Sequence, residues 1–203
     1  ANCVRYCGAE VVFSDIESET YLLDLEKLKS LLEASPKGTY KGIIPVDFSG
    51  RVVDMEKLRN IADKYDLWII EDACHAPGGS FVDANNIRQL CGNGGFADLT
   101  VFSFHPVKHI ACGEGGMVTT NDENLYNKLL RLRSHGINKG AYLYKNSIEE
   151  AGGVDSYPLW YMEMQGLGYN YRLTDIQAAL GLSQLIRAEE GLAKRRDIAS
   201  KYF

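Results

Sequence analysis

Two short runs constrain the fold more than anything else in this chain: LWIIED, Leu67 to Asp72, and LTVFSF, Leu99 to Phe104. A strand with one face in water alternates apolar and polar residues. LWIIED is continuously apolar until it finishes on two acids, and LTVFSF is apolar, aromatic and β-branched, as strands covered on both faces are. Helical patterns lie around them. LDLEKLKSLLE sets Leu25, Leu28 and Leu32 on one stripe, and MEKLRNIADKY follows Asp54, a residue suited to cap it. KGIIPVDFSG reads as a strand ending near Val46, and Val11 to Phe13 as a short strand ending at Asp15. Met117 to Thr120 reads as a further strand, with a helix from Asp122 to about Ser134. Two more helices are expected, from Thr174 to about Arg187 and from Glu189 onwards. Strands alternating with helices predict an α/β fold whose sheet is mainly parallel and covered by helices. Ala73 to Phe96 is expected as a Gly-rich loop, and Ile137 to Asn170 as a long irregular stretch. Irregular segments of that length tend to serve function or pack on a partner.

The totals exclude several classes of function. The chain has 203 residues, enough for one domain with a real core, and a net charge of −5 with a pI near 5.4. That balance gives no footing for a nucleic-acid partner. No apolar run approaches the roughly 20 residues a membrane span needs. The five cysteines, Cys3, Cys7, Cys74, Cys91 and Cys112, are odd in number and scattered, and no C-x-x-C occurs. They read as reduced thiols of a cytoplasmic protein. The chain opens without Met inside a structured pattern and closes on a helical one, AKRRDIASKYF. It reads as a piece of a longer protein.

In parallel sheets ligands sit at the carboxyl ends of strands. Two such ends carry chemistry here. Asp72 closes the first run; His105, Pro106 and Lys108 follow the second, then Gly113, Glu114, Gly115 and Gly116. A lysine amine attacks carbonyls when part of it is neutral, and an aspartate can keep a heteroaromatic nitrogen protonated. Pyridoxal 5'-phosphate demands both: a Schiff-base lysine and an acid at the pyridine nitrogen. Ser103 offers a hydroxyl to a phosphate, the glycines allow close backbone approach, and His75 could hydrogen-bond or stack on the ring. Plainer readings stand beside these: a turn aspartate, a solvated lysine, a structural histidine at 75, a small buried Cys74. A metal reading rests on His105, His109 and Cys112, with Cys74 and His75 as further candidate ligands, although Pro106 would stop a regular helix from presenting both histidines together.

EDACHAPGGSF, ADLTVFSFHPVKHIACGEGGMVTTND and LGYNYRLTDIQAALGLSQL resemble, in order and spacing, the DegT-type sugar aminotransferases. The resemblance runs over nearly the whole chain. It implies the aspartate aminotransferase (type I pyridoxal-phosphate) fold, with residues 1–203 as a large domain truncated at both ends. The missing parts would be an N-terminal phosphate-binding segment and a C-terminal small domain. It further implies pyridoxal 5'-phosphate as cofactor and Lys108 as the Schiff-base lysine, acid and base in both halves of the reaction. Asp72 would pair with the pyridine nitrogen, His75 would lie near the ring hydroxyl, and Ser103 would bind the phosphate. Asn170 would reach the phosphate of a neighbouring subunit's cofactor, so a homodimer is expected. Arg172 would help anchor an anionic substrate group there. The helix TDIQAALGLSQL would be structural.

Within the family, FSFHPVK, GEGG, RSHGI and WYMEMQGLGYNYRLTDIQAALGLSQL are most similar to the branch acting in pseudaminic acid biosynthesis. The implied reaction moves an amino group from L-glutamate, released as 2-oxoglutarate, to C4 of a UDP-linked 4-keto-6-deoxy-N-acetyl sugar. Alternatives are another nucleotide keto-sugar aminated at C3 or C4, or a non-catalytic domain that keeps only fold and dimer surface. A branch with histidine in place of the lysine dehydrates instead; position 108 is Lys. Pro77 stands where the family pattern leads one to expect leucine.

Overall fold

The computed structural model describes residues 1–202. In chain order the regular elements begin with α1 (Asn2–Tyr6), α2 (Leu25–Glu33), β1 (Gly42–Ile43), α3 (Met55–Tyr65) and β2 (Trp68–Asp72). There follow β3 (Ser80–Val82), β4 (Arg88–Leu90), β5 (Leu99–Ser103), β6 (Gly116–Thr119) and α4 (Glu123–Leu132). The last are β7 (Ile137–Asn138), β8 (Glu163–Met164), α5 (Asp175–Leu185) and α6 (Ala188–Ala199). Contacts divide the chain into two compact units, one of residues 1–120 with 176 onwards, the other of 121–175.

The first unit is built on a four-stranded sheet in the order β1-β2-β5-β6. β1, β2 and β5 run parallel and β6 returns antiparallel to β5, so the sheet is mixed and mostly parallel. Local chemistry explains the two helices beside it. Asp24 accepts the Glu26 and Lys27 N–H groups, and Asp54 accepts that of Lys57, so each helix starts on a capping carboxylate. Their apolar stripes then pack together: Leu28 and Leu32 from α2, and Met55, Leu58, Ile61 and Ala62 from α3, join Ile43 and Ile69 of the sheet in one core. At Gly42 a Cβ would stand 2.0 Å from the Trp68 ring, so only glycine lets β1 lie against β2 there.

Several expectations change. In β2 the buried Ile69 and Glu71 alternate with half-buried Ile70 and Asp72, and Trp68 is exposed. Apolar runs therefore did not mean equal cover on both faces: the core lies on the Ile69 side. Val11 to Phe13 forms no strand; Val12 and Phe13 are exposed, and only an Ile16–Leu23 bridge pairs this region. The expected loop from Ala73 to Phe96 contains the β3–β4 hairpin. Asp83 organises its turn by accepting the Asn85 and Ile87 N–H groups. Pro77 occupies the second position of a turn closed by Gly79 N–H to Ala76 O at 2.8 Å, and Gly78 follows with φ +79°. Proline then glycine is the pairing a type II turn asks for, so the loop accepts proline without strain. The final helix ends at Ala199.

In the second unit α4 is capped by Asp122, as its sequence indicates. The 137–170 stretch is largely irregular, but β7 and β8 pair within it. Tyr144 meets Tyr157 and Tyr161 edge-on at 4.8 and 4.9 Å, an aromatic cluster that gives the segment an interior of its own.

Candidate active site

Asp72 and Ser103 stand at the C-terminal ends of β2 and β5. Asp72 is the last residue of β2 and pairs in register with Val101. Side chains two apart on a strand share a face, so Asp72 and Ser103 project from the same side of the sheet. Across β5–β6, Ser103 faces Gly116. A Cβ at Gly116 would press to 2.7 Å from the Phe102 carbonyl, so this position stays clear of any side chain.

Beyond Ser103 the chain leaves the sheet in a loop closed by Cys112 N–H to Phe104 O at 3.0 Å. Inside it the Lys108 N–H donates to His105 O at 2.9 Å, forming the turn that Pro106 pre-shapes. Asp72 is half-buried and accepts the Cys74 N–H at 3.2 Å. Cys74 reports on both neighbours. Burial foremost, with the Asp72 carboxylate beside it, pushes the thiol up to about 12, while the Lys108 charge pulls the other way. Asp72 and Lys108 therefore both lie close enough to act on the charge of one residue, Cys74. With its thiol protonated, Cys74 is a small partly buried apolar side chain and no nucleophile.

His75 is exposed; its Nδ1 accepts the Ser49 N–H at 3.4 Å, and its ring lies 6.0 Å from that of Phe48. His109 is held below the usual imidazole range by burial first, then by the charges of Arg195, His75 and Lys108. An open cavity of about 580 Å³, bounded by Phe102, His109, Met117, Leu192 and Arg195 among others, touches none of Asp72, Ser103 or Lys108. Among the described residues no group of three or more His, Cys, Asp or Glu gathers as a metal centre would require. His105 Nε2 instead faces Glu114 at 3.7 Å, and Cys112 is buried.

Asn170 and Arg172 belong to the second unit, where both are exposed. Asn170 bridges to Ser134, and the rings of Tyr169 and Tyr171 stack at 4.8 Å on either side of it in sequence. Two acids near Asp72 escape a reading of the sequence: Asp47 and Glu71, both buried. Their visible signal is slight, an acid at the end of each of two strand-like runs, PVD and IIED.

The model of the DegT/DnrJ/EryC1/StrS aminotransferase family matches residues 1–203. The chain belongs to this family. Among curated relatives, a UDP-4-amino-4,6-dideoxy-N-acetyl-beta-L-altrosamine transaminase of Campylobacter jejuni is 39% identical over 203 residues, 100% of this chain and 47% of the relative. A GDP-perosamine synthase of Caulobacter vibrioides is 36% identical over 202 residues, again 100% of this chain and 46% of the relative. Among solved structures, Helicobacter pylori PseC, an aminotransferase involved in pseudoaminic acid biosynthesis, superposes with a TM-score of 0.72 at 33% identity. It covers 93% of this chain and 43% of PseC. A sugar aminotransferase of Streptococcus pneumoniae in its PMP form gives a TM-score of 0.79 at 29% identity, covering 100% of this chain and 51% of that one. The chain thus spans about half the length of the curated relatives it matches.

DegT-family aminotransferases use pyridoxal phosphate, and the donor set at the sheet edge fits that group. A half-buried carboxylate, a primary amine and a hydroxyl beside a side-chain-free glycine are complementary to a pyridinium N–H, an aldehyde and a phosphate.

Proposed function

We propose that this chain is the cofactor-holding half of a pyridoxal-phosphate aminotransferase that aminates C4 of a UDP-linked 4-keto-6-deoxy-N-acetyl sugar with L-glutamate as donor. The observation that supports the reading best is that Asp72, at the carboxyl end of β2 beside parallel β5, and Lys108, in the loop that follows β5, both act electrostatically on Cys74. When bound, the cofactor supplies an electron sink for the carbon that loses its proton. Lys108 contributes the amine that attaches the cofactor and then carries the proton to and from the reacting carbon. Asp72 keeps a proton on the pyridine nitrogen, Ser103 donates to the phosphate, and His75 borders the ring. Asn170 reaches the phosphate held by a second copy of the chain, and Arg172 meets an anionic part of the substrate, so the working unit is a homodimer. A cytoplasmic location suits the five free cysteines.

The choice of sugar leans on the Campylobacter relative, and the Caulobacter relative names a GDP sugar, so the test must cover both. A coupled assay of the complete protein against UDP-, GDP- and dTDP-linked keto-sugars, with glutamate, should show turnover concentrated on the UDP-linked 4-keto sugar. Borohydride treatment should leave the cofactor covalently on Lys108, located by peptide mass. Lys108→Ala should abolish turnover and labelling together. Normal turnover in that variant would refute the assignment.

A further inference from the structure

On the buried face of the sheet, beneath the edge that carries Asp72, two acids meet, and among the described residues neither has a cation paired with it. Asp47 is 0% exposed and Glu71 3%. Asp47 Oδ1 accepts the Val53 N–H at 3.0 Å, and Glu71 Oε2 accepts the Thr100 hydroxyl at 2.7 Å and the Gly92 N–H at 2.9 Å. That leaves Asp47 Oδ2 and Glu71 Oε1 buried and without an ordinary donor. The two carboxyls lie within hydrogen-bonding reach of each other. Two carboxylates cannot both stay ionised in so dry a place, and an orphaned buried oxygen is costly.

We infer that Asp47 and Glu71 share one buried proton, which bridges the two orphaned oxygens and so positions Asp72 at the sheet edge. The inference rests on the proposed role of Asp72. The link to Asp72 is direct. Its carbonyl accepts the Asp47 N–H at 3.0 Å, its N–H donates to Pro45 O at 2.9 Å, and Glu71 precedes it on β2. Through Thr100 and Gly92 the same pair ties in β5 and the end of the β3–β4 hairpin. Asp47 and Glu71 are positioning residues; Asp72 alone of the three would touch the cofactor.

The pair has a pH signature. Burial chiefly, with Glu71 and Asp72 adding negative charge against the Val53 N–H, pushes the Asp47 carboxyl up to about 8. The other titratable group facing the pair is the Cys91 thiol, which stays protonated, pushed up to about 12, and donates to Ala76 O. In the unfolded chain Asp47 titrates near the ordinary carboxylate value, about 4. Between those values the folded protein holds a proton that the unfolded chain lacks. Stability from this proton is therefore full below about pH 4 and lost as pH rises through about 8.

The test uses cofactor-free protein, so it is decided independently of whether pyridoxal phosphate binds. In wild type, infrared difference spectra at pH 7 should show the carbonyl band of a protonated carboxylic acid that fades as pH passes about 8. The folding equilibrium constant should fall about tenfold per pH unit across pH 5–8 relative to the variants below. Amide-exchange protection at Asp72 should fall over the same range as the infrared band. Asp47→Asn replaces the shared proton with a permanent amide N–H toward Glu71. It should remove the band and flatten both pH profiles while keeping Asp72 protected. Glu71→Gln provides the same check if the first variant folds poorly. A band that persists in both variants, or its absence from wild type, overturns the shared proton. An Asp72 protection profile that ignores pH while the band titrates overturns the positioning role. Failure of the cofactor reading would show separately, as no borohydride labelling of Lys108.

Discussion

Asp98, one residue before β5, accepts the Ile69 N–H at 2.7 Å and the Arg59 guanidinium at 3.2 Å, and Arg59 donates onward to Leu67 O at 2.8 Å. One carboxylate thus ties α3, the entry to β2 and the entry to β5. Asp98→Ala should destabilise the protein by about 1–3 kcal/mol, the low end being favoured because the side chain is part-exposed. Asp98→Asn should cost less, and urea unfolding at neutral pH measures both. No change in the midpoint would show that the ties are redundant. Nothing around Asp98 in the chain marks this role, because its partners come from residues far away in sequence. Asp72 and Lys108 are different: each stands out locally, as an abrupt polar residue where an apolar run stops. His75 and Ser103 also lie at that edge, Ser103 by strand parity alone.

Elements with local signals match their sequence. α2, α3 and α4 begin at the capping residues Asp24, Asp54 and Asp122, since a cap bonds only within the next turn. The β3–β4 hairpin and the β7–β8 pair were not legible, because each strand is two or three residues long and shows no period. In the second unit Glu163 takes the role of a core. Burial works against its charge. The N–H groups of Lys145 and Asn146, with the Gln165 amide and the Tyr161 hydroxyl, outweigh it and hold the carboxyl down at about 2. A lowered acid contributes stability above its unfolded value, about 4.3, that is lost as pH falls toward 2. Amide-exchange protection at Lys145 and Asn146 should therefore drop across that interval. In Glu163→Gln protection should be lower at neutral pH and flat with acid. A wild-type profile equally flat would contradict this role.

At the scale of the whole molecule, the proposed site draws Lys108 from one copy and Asn170 from another. Loss of a phosphate contact at Asn170→Ala should lower turnover by about 10- to 100-fold. Mixing that variant with Lys108→Ala under exchange conditions should restore activity. Randomly paired dimers would recover roughly a quarter of the wild-type rate, since half are hybrids and each hybrid holds one intact site. No recovery, with hybrids demonstrated by mass, would mean that both residues serve the same subunit's site. Among the described residues no helix is long and apolar enough to cross a membrane.

The starts of α2, α3 and α4 and the two strand ends at Asp72 and Ser103 follow from the sequence by itself, because caps, periodicity and apolar runs act over a few neighbouring residues. The family resemblance follows from the same motifs. Only the tertiary structure decides that β6 runs antiparallel, that one sheet face is better covered than the other, and that Asp72 and Ser103 share a side. It alone brings Asp47 against Glu71. Strand register and burial depend on contacts between distant segments, and whether two carboxylates can both remain charged depends on what surrounds them after folding.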